Sequence, residues 1–318
     1  MNNYNIENLI NTFISYDPTE SKKRKAEDDE IRAATESLFS LQTAVCNPTK
    51  KKARLTKRDF VPAIYNELKA DPLCMMTTPQ ANLAGRLGVS SGSISKTLRE
   101  VLGAKKGDGS VYPQRFFNSC QKVVKKYNND NNFISKIIVF RTVEVIEKIA
   151  RAIFISFYDA LKLEEDVIEI PKPFKLKTTP QGVDDILESM PPITKTFSKK
   201  NMELFRVIYN DGACEDSLKM SADQLFKENG DKFSKTMLSR APRRLFKGGG
   251  NKGGIWPARK LAQFESLAKK HRANGNIISP IIAEYYESMR QDIIAIYQTR
   301  LEEVLDLTKD DQRRSETL

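Results

Sequence analysis

The chain has 318 residues, 40% of them hydrophobic, which is length and apolar content for two cored domains and too apolar for a chain disordered throughout. Lysine and arginine number 52 against 41 aspartates and glutamates, a net charge of +11 and a pI near 9.3. That excess favours a polyanionic partner, because each phosphate neutralised releases a condensed counterion. Cys46, Cys74, Cys120 and Cys214 are scattered and His271 is the single histidine, which argues against a zinc finger or ribbon, and no cofactor is expected. No apolar run reaches a membrane-spanning length, and the start MNNYNIENLINTF lacks the pattern of a signal peptide, so a soluble intracellular protein with reduced thiols is expected.

Residues 1–55 carry two basic clusters, Lys22 to Lys25 and Lys50 to Lys52 with Arg54, around acidic and hydroxyl-rich sequence. Two short periodic stretches, Ile6 to Phe13 and Leu38 to Val45, are too brief for a domain. The segment is expected to be a disordered basic tail. Its clusters resemble nuclear localisation signals, which implies a nuclear protein in a eukaryote or its virus and a cytoplasmic one otherwise.

A first unit is expected over 56–168. Phe60, Ile64 and Leu68 predict a helix from Arg58 to Lys69, ended by Asp71-Pro72. Thr77 or Thr78 is expected to cap a second helix beginning near Pro79 and carrying Leu83, Ala84 and Leu87. Gly88-Val89-Ser90 leads into a third, through Ser93, Ile94, Thr97, Leu98 and Val101. The spacing of Ala84, Gly88, Val89, Ile94 and Leu98 resembles the helix-turn-helix superfamily, in which a small residue lets two helices approach, a glycine turns the chain and apolar residues seat the second helix. The resemblance implies a nucleic-acid face at Ser91, Ser93, Ser95, Lys96 and Arg99. The glycine-rich loop that follows, with Lys105 and Lys106, resembles the wing of a winged helix, a solvated hairpin being the plainer reading; Arg115 lies just beyond. Tyr112 precedes a proline and is read as core before base-stacking. A long amphipathic helix then carries Ile134, Ile138, Val145, Ile149, Ile153, Phe157 and Leu161.

Five of the fourteen prolines fall in 169–197, a stretch read as a semi-rigid linker with a short helix near Val183 to Met190. Beyond it the chain repeats itself. Ile64-Tyr65-Asn66 returns as Ile208-Tyr209-Asn210, and Val111-Tyr112-Pro113-Gln114-Arg115 as Ile255-Trp256-Pro257-Ala258-Arg259, both 144 positions later. Asn132-Phe133-Ile134-Ser135 returns as Asn276-Ile277-Ile278-Ser279 at the same shift. Ordered matches at one shift indicate duplication, giving a second unit over 198–308 and a charged tail over 309–318.

The second copy departs from the first. Ser221 caps a helix with Leu225 and Phe226, but Gly230-Asp231 stands at the turn and Pro242 interrupts the third helix. Its Lys235, Arg240, Arg243, Arg244, Lys247, Lys252 and Arg259 are therefore expected to grip backbone phosphates more than to read bases. Its closing helix carries Ile278, Ile282, Tyr285, Met289, Ile293, Ile296 and Val304. The two long apolar faces have three uses open to them: cover for their own unit, packing of the units together, or a homodimer contact.

The fold class expected is mainly α, with two duplicated helix-turn-helix-like units, winged if the loops form hairpins, each followed by a long helix. The function expected is nucleic-acid binding, to duplex DNA first, in transcription, replication or genome packaging. An RNA-binding or structural nucleoprotein, or a helical interaction scaffold, is the alternative. His271 has no recognisable catalytic neighbour and no ordered recombinase-like Arg-Lys-His-Tyr signature is evident, so no catalytic residues, metal or enzyme activity are expected.

Overall fold

The computed structural model describes residues 57–105, 108, 111–129, 132–163, 170–174, 176, 182–190, 192–193, 197–210, 214–229, 232–234, 236–238, 240, 245–246 and 257–316, with side chains from Phe60 to Asp306. The basic tail lies outside these residues. Within them the chain is mainly helical and contains no strand.

Helix α1, Lys57–Ala70, sinks Ile64, Tyr65 and Leu68 into the core. Asp71 ends it by accepting a hydrogen bond from the Leu73 amide at 2.9 Å. A helix not expected from the sequence follows: α2, Cys74–Thr77, four residues long with Cys74, Met75 and Met76 buried. It displaces the expected threonine cap. Thr78 becomes the extended residue closing α2, its carbonyl accepts from the Tyr112 hydroxyl, and α3, Gln80–Arg86, starts from Pro79 with no side-chain cap. Proline tolerates that role because its fixed φ suits a helix start and its missing N–H would be unpaired there anyway.

Helix α4, Ser91–Val101, buries Ile94, Thr97 and Leu98. Helix α5, Gln114–Tyr127, precedes α6, Phe133–Leu161, which Asn132 caps by accepting from the Ile134 amide at 3.0 Å. The linker is more than a spacer. Its short helix α7, Val183–Glu188, buries Ile186, and Met190 and Ile193 beyond it are buried too, while Phe174 stacks on Phe117 of α5.

The second half runs α8, Lys199–Tyr209; α9, Cys214–Lys219; α10, Ala222–Glu228; helical residues at 236–238, 240 and 245; α11, Ala258–Arg272; and α12, Ile278–Glu316. Ser221 caps α10 as the sequence indicates, and Gln224 returns the bond in a reciprocal capping box. Helix α12 continues through 309–316, where a charged tail was expected. The succession of α1, the short α2 and α3, α4, α5 and the longest α6 is followed by α8, the short α9 and α10, the helical residues at 236–238, 240 and 245 in the place of α4, α11 and the longest α12, α5 and α11 starting at residues 114 and 258.

Helices α6 and α12 carry the architecture. Arg141 meets Asp292 while Lys148 meets Glu284, so the two helices run antiparallel across each other. At the crossing Thr142 and Tyr285 share a buried hydrogen bond of 2.9 Å, and Thr142 also donates to the Ile138 carbonyl. Each long helix also covers its own half: Tyr65 of α1 packs on Phe154 of α6, and Tyr209 of α8 donates to Glu302 of α12. The apolar residues predicted along both helices are buried, Leu161 only in part, and belong to one core cluster spanning the two halves. At about 1.5–3 kcal/mol for each large side chain removed from water, this cluster dominates the folding free energy.

Candidate nucleic-acid interface

The candidate interface is built on α3, its turn and α4. Leu83 and Ala84 of α3 and Ile94 and Leu98 of α4 are buried, so the helices meet on the apolar positions the spacing indicates. Gly88 sits between them at φ +66°, a conformation that costs any residue bearing a Cβ. Ser90 then caps α4, its hydroxyl accepting from the Ser93 amide at 3.1 Å. A second left-handed glycine, Gly103 at φ +69°, follows α4.

The polar side chains of α4 divide into two groups. Ser93 is held at the cap, its hydroxyl 2.9 Å from that of Ser90. Ser95 is half-buried and accepts from the Gln80 amide at 2.6 Å, and the same Gln80 nitrogen also donates to the Ser91 carbonyl. Ser95 thus braces α4 against α3 through Gln80, and Ser93 is held within the cap of α4 itself. Gln80 is the brace that the sequence did not reveal; its position on the first turn of α3, fifteen residues before Ser95, carries no pattern by which to find it. Ser91 and Lys96 are exposed, and Arg99 is half-buried one turn beyond Ser95. An Arg86–Glu67 ion pair of 3.0 Å ties α3 to α1 from behind.

Tyr112, read as core, is 7% exposed, and its hydroxyl is engaged by the Thr78 carbonyl at 2.6 Å. Burial pushes its pKa upward, so it stays a neutral donor. Trp256 lies outside the described residues. Lys105 is exposed, but it is held in place. Its amide donates to Asp108 at 2.7 Å, its side-chain carbons lie about 3.5 Å from where a Cβ on Gly275 would be, and the Ile277 amide donates to the Leu102 carbonyl at 3.2 Å. The segment after α4 therefore rests on the α11–α12 turn of the other half.

Arg115 and Arg259 are exposed on the first turns of α5 and α11, and Arg240 is exposed on the helical residues before Leu245. Ser91, Ser95, Lys96 and Arg99 share one helix; Arg115, Arg240 and Arg259 lie on other elements. Lys106, Lys235, Arg243, Arg244, Lys247 and Lys252, with the turn at Gly230-Asp231 and Pro242, lie outside the described residues, as does most of each glycine-rich loop.

Cys74, Cys120 and Cys214 are free and buried, burial pushing their thiols up to about 12, 12 and 11 respectively, which leaves them protonated packing groups. No described helix is long and apolar enough to cross a membrane. Comparison with protein families, curated proteins and solved structures gives no match to this chain.

Proposed function

We propose that the protein binds nucleic acid, duplex DNA in the first instance, through duplicated helix-turn-helix-like units, and that it serves transcription, replication or genome packaging. The observation that carries this reading is the way α4 is mounted. Gly88, the Ser90 cap and the Gln80 brace fix the helix against α3, while Ser91 and Lys96 remain outside the core. A helix anchored on one side by Ile94 and Leu98 and left open on the other is suited to enter a groove. The ordered sequence matches at a shift of 144 and the repeated succession of helices support duplication. In the second half, Arg240 and Arg259 suit contacts to phosphates that position the duplex without reading it.

The test is fluorescence anisotropy with the full chain and labelled duplex DNA, single-stranded DNA and RNA, each over a series of salt concentrations. Lys96→Gln with Arg99→Gln is expected to weaken duplex binding and flatten any sequence preference. Arg240→Gln with Arg259→Gln is expected to weaken binding evenly and lower the salt slope by about 0.9 for each phosphate no longer neutralised. Parent-like duplex binding by both variants at every salt concentration defeats the reading; preferential binding of RNA transfers it to the RNA alternative.

A further inference from the structure

Resting on the nucleic-acid reading above, we infer that the outward face of α5 is a further contact surface of the protein, one that tracks backbone phosphates without reading bases. Helix α5, QRFFNSCQKVVKKY, carries Arg115, Lys122, Lys125 and Lys126 and no acidic residue. Helices α1, α4, α6, α8, α11 and α12 each contain at least one carboxylate.

The cations share one side. Arg115, Ser119, Lys122 and Lys126 recur at steps of three and four, with Asn118 and Lys125 beside them, and all of these are exposed. Phe117, Cys120 and Val124 lie on the opposite side and are buried. The line from Arg115 to Lys126 is about 16 Å long, roughly half a turn of duplex DNA.

Helix stability accounts for only part of this row. Lys125 and Lys126 stand in the last turn, where the helix dipole favours cations. Arg115 stands in the first turn, where the dipole disfavours them. The residues three and four positions from Lys122 are Asn118, Ser119, Lys125 and Lys126, which give it like charge and no acid. On other helices of this protein that spacing is used to pair charges: Glu144 meets Arg141 and Lys148, Glu215 meets Lys219, and Glu265 meets Lys269. A row of like charges with no acid on its own helix favours a polyanion laid along it.

The second half keeps part of the pattern. At the shift of 144, Arg115, Lys125 and Lys126 fall on Arg259, Lys269 and Lys270 of α11, all exposed, whereas Gln121 and Lys122 fall on Glu265 and Ser266. Helix α5 therefore has the more continuous basic face. The contacts already proposed lie toward its two ends. At its start, the Tyr112 hydroxyl donates to the Thr78 carbonyl, close in sequence to Gln80, the brace of α4. At its end, the Lys260 ammonium of α11, next to Arg259 in sequence, lies 4.5 Å from the centre of the Tyr127 ring. A nucleic-acid backbone along α5 thus leads from the α4 side toward Arg259. A lipid surface suits this face less, because the exposed large apolar residues among those described, Ile155, Leu163 and Ile277, all lie off α5.

The experiment uses the full chain, with Lys122→Gln/Lys126→Gln as the test variant and Lys122→Arg/Lys126→Arg as the variant that keeps the charge. Lys199→Gln/Lys200→Gln, exposed on α8, is the control of equal charge. Anisotropy with labelled duplexes of several sequences is followed over a salt series, with circular dichroism as the check on folding. The glutamine variant is expected to bind about tenfold more weakly at low salt, to weaken alike on every sequence, and to lose about 1.8 from the salt slope, 0.9 for each phosphate. The arginine variant and the control should keep the parent's slope. Lys122→Gln alone, with an expected loss of about 0.9, serves should the double variant fail to fold. A parent-like slope in the glutamine variant, with binding lost through Lys96→Gln and Arg99→Gln, overturns the α5 surface and leaves the proposed function standing. A parent that binds RNA and not duplex DNA, with the same loss of slope in the glutamine variant, keeps the surface and overturns the duplex reading. A control that loses as much slope as the glutamine variant, or a glutamine variant impaired only on phosphatidylserine vesicles, overturns the surface. A parent that binds no nucleic acid overturns both.

Discussion

Two glycines three residues apart should respond in opposite directions to the same substitution. Gly85 is a helical residue of α3, and a Cβ built on it meets nothing within 4 Å. Alanine there narrows the unfolded ensemble without touching the fold and should stabilise by about 0.5–1 kcal/mol. Gly88 also has open space around it, but at φ +66° the penalty comes from its own backbone. A Cβ in the left-handed region costs roughly 1–2 kcal/mol, so Gly88→Ala should destabilise by that amount. The variants should therefore differ by about 1.5–3 kcal/mol in urea unfolding followed by circular dichroism, with unchanged m-values. Gly88→Asn should recover part of the deficit, because asparagine tolerates this conformation better than alanine. Shifts of the same sign in Gly85→Ala and Gly88→Ala, or a neutral Gly88→Ala, would refute the left-handed turn on which the mounting of α4 depends.

The α6–α12 crossing and the lone histidine give two further expectations. Arg141 grips Asp292 through two N–H groups at 2.6 and 3.1 Å and also meets Glu144, with the Arg141 and Asp292 side chains 21% and 12% exposed. Arg141→Met should cost about 2 kcal/mol, chiefly by leaving Asp292 without its cation, and a double-mutant cycle with Asp292→Asn should show coupling above ~1 kcal/mol; additive effects would mean that the pair does not join the helices. His271 of α11 has a buried Nδ1 with no hydrogen-bond partner, and burial together with Lys270 holds its pKa below the ordinary 6.5. The unfolded chain then takes up the proton first, so this stabilisation is complete above about pH 6.5 and declines as the pH falls through the folded value. Urea midpoints should fall from pH 7 to 5 in the parent and stay flatter in His271→Phe; equal slopes would show that the histidine is not the sensor. The carboxylates held below 4.5 by cations, Glu144 and Glu215, act only at lower pH.

What the sequence determined by itself was local. Three-and-four spacing located the long helices because a face that must be buried writes its period into the chain, and nearly every apolar residue so picked out on α6 and α12 is buried. The Gly88 turn and the Ser221 cap were legible because turns and caps act within a few residues of themselves. Helix α2 was not, since four residues hold no period; it exists because Cys74, Met75 and Met76 fill the space beside α5, and its arrival took the cap away from Thr78. The surface assignments on α4 were half legible: periodicity told which side faces the core, but not that Gln80 would take up Ser95 from a neighbouring helix. The uses of the long apolar faces were open in the sequence, because an amphipathic stripe states that it needs a cover and not which one. Only the tertiary structure decided that α6 and α12 cross antiparallel, and it alone brought Lys260 to Tyr127 from 133 residues away. Amphipathic pattern is a property of neighbouring residues, whereas the meeting of distant side chains depends on the summed packing of every helix between them.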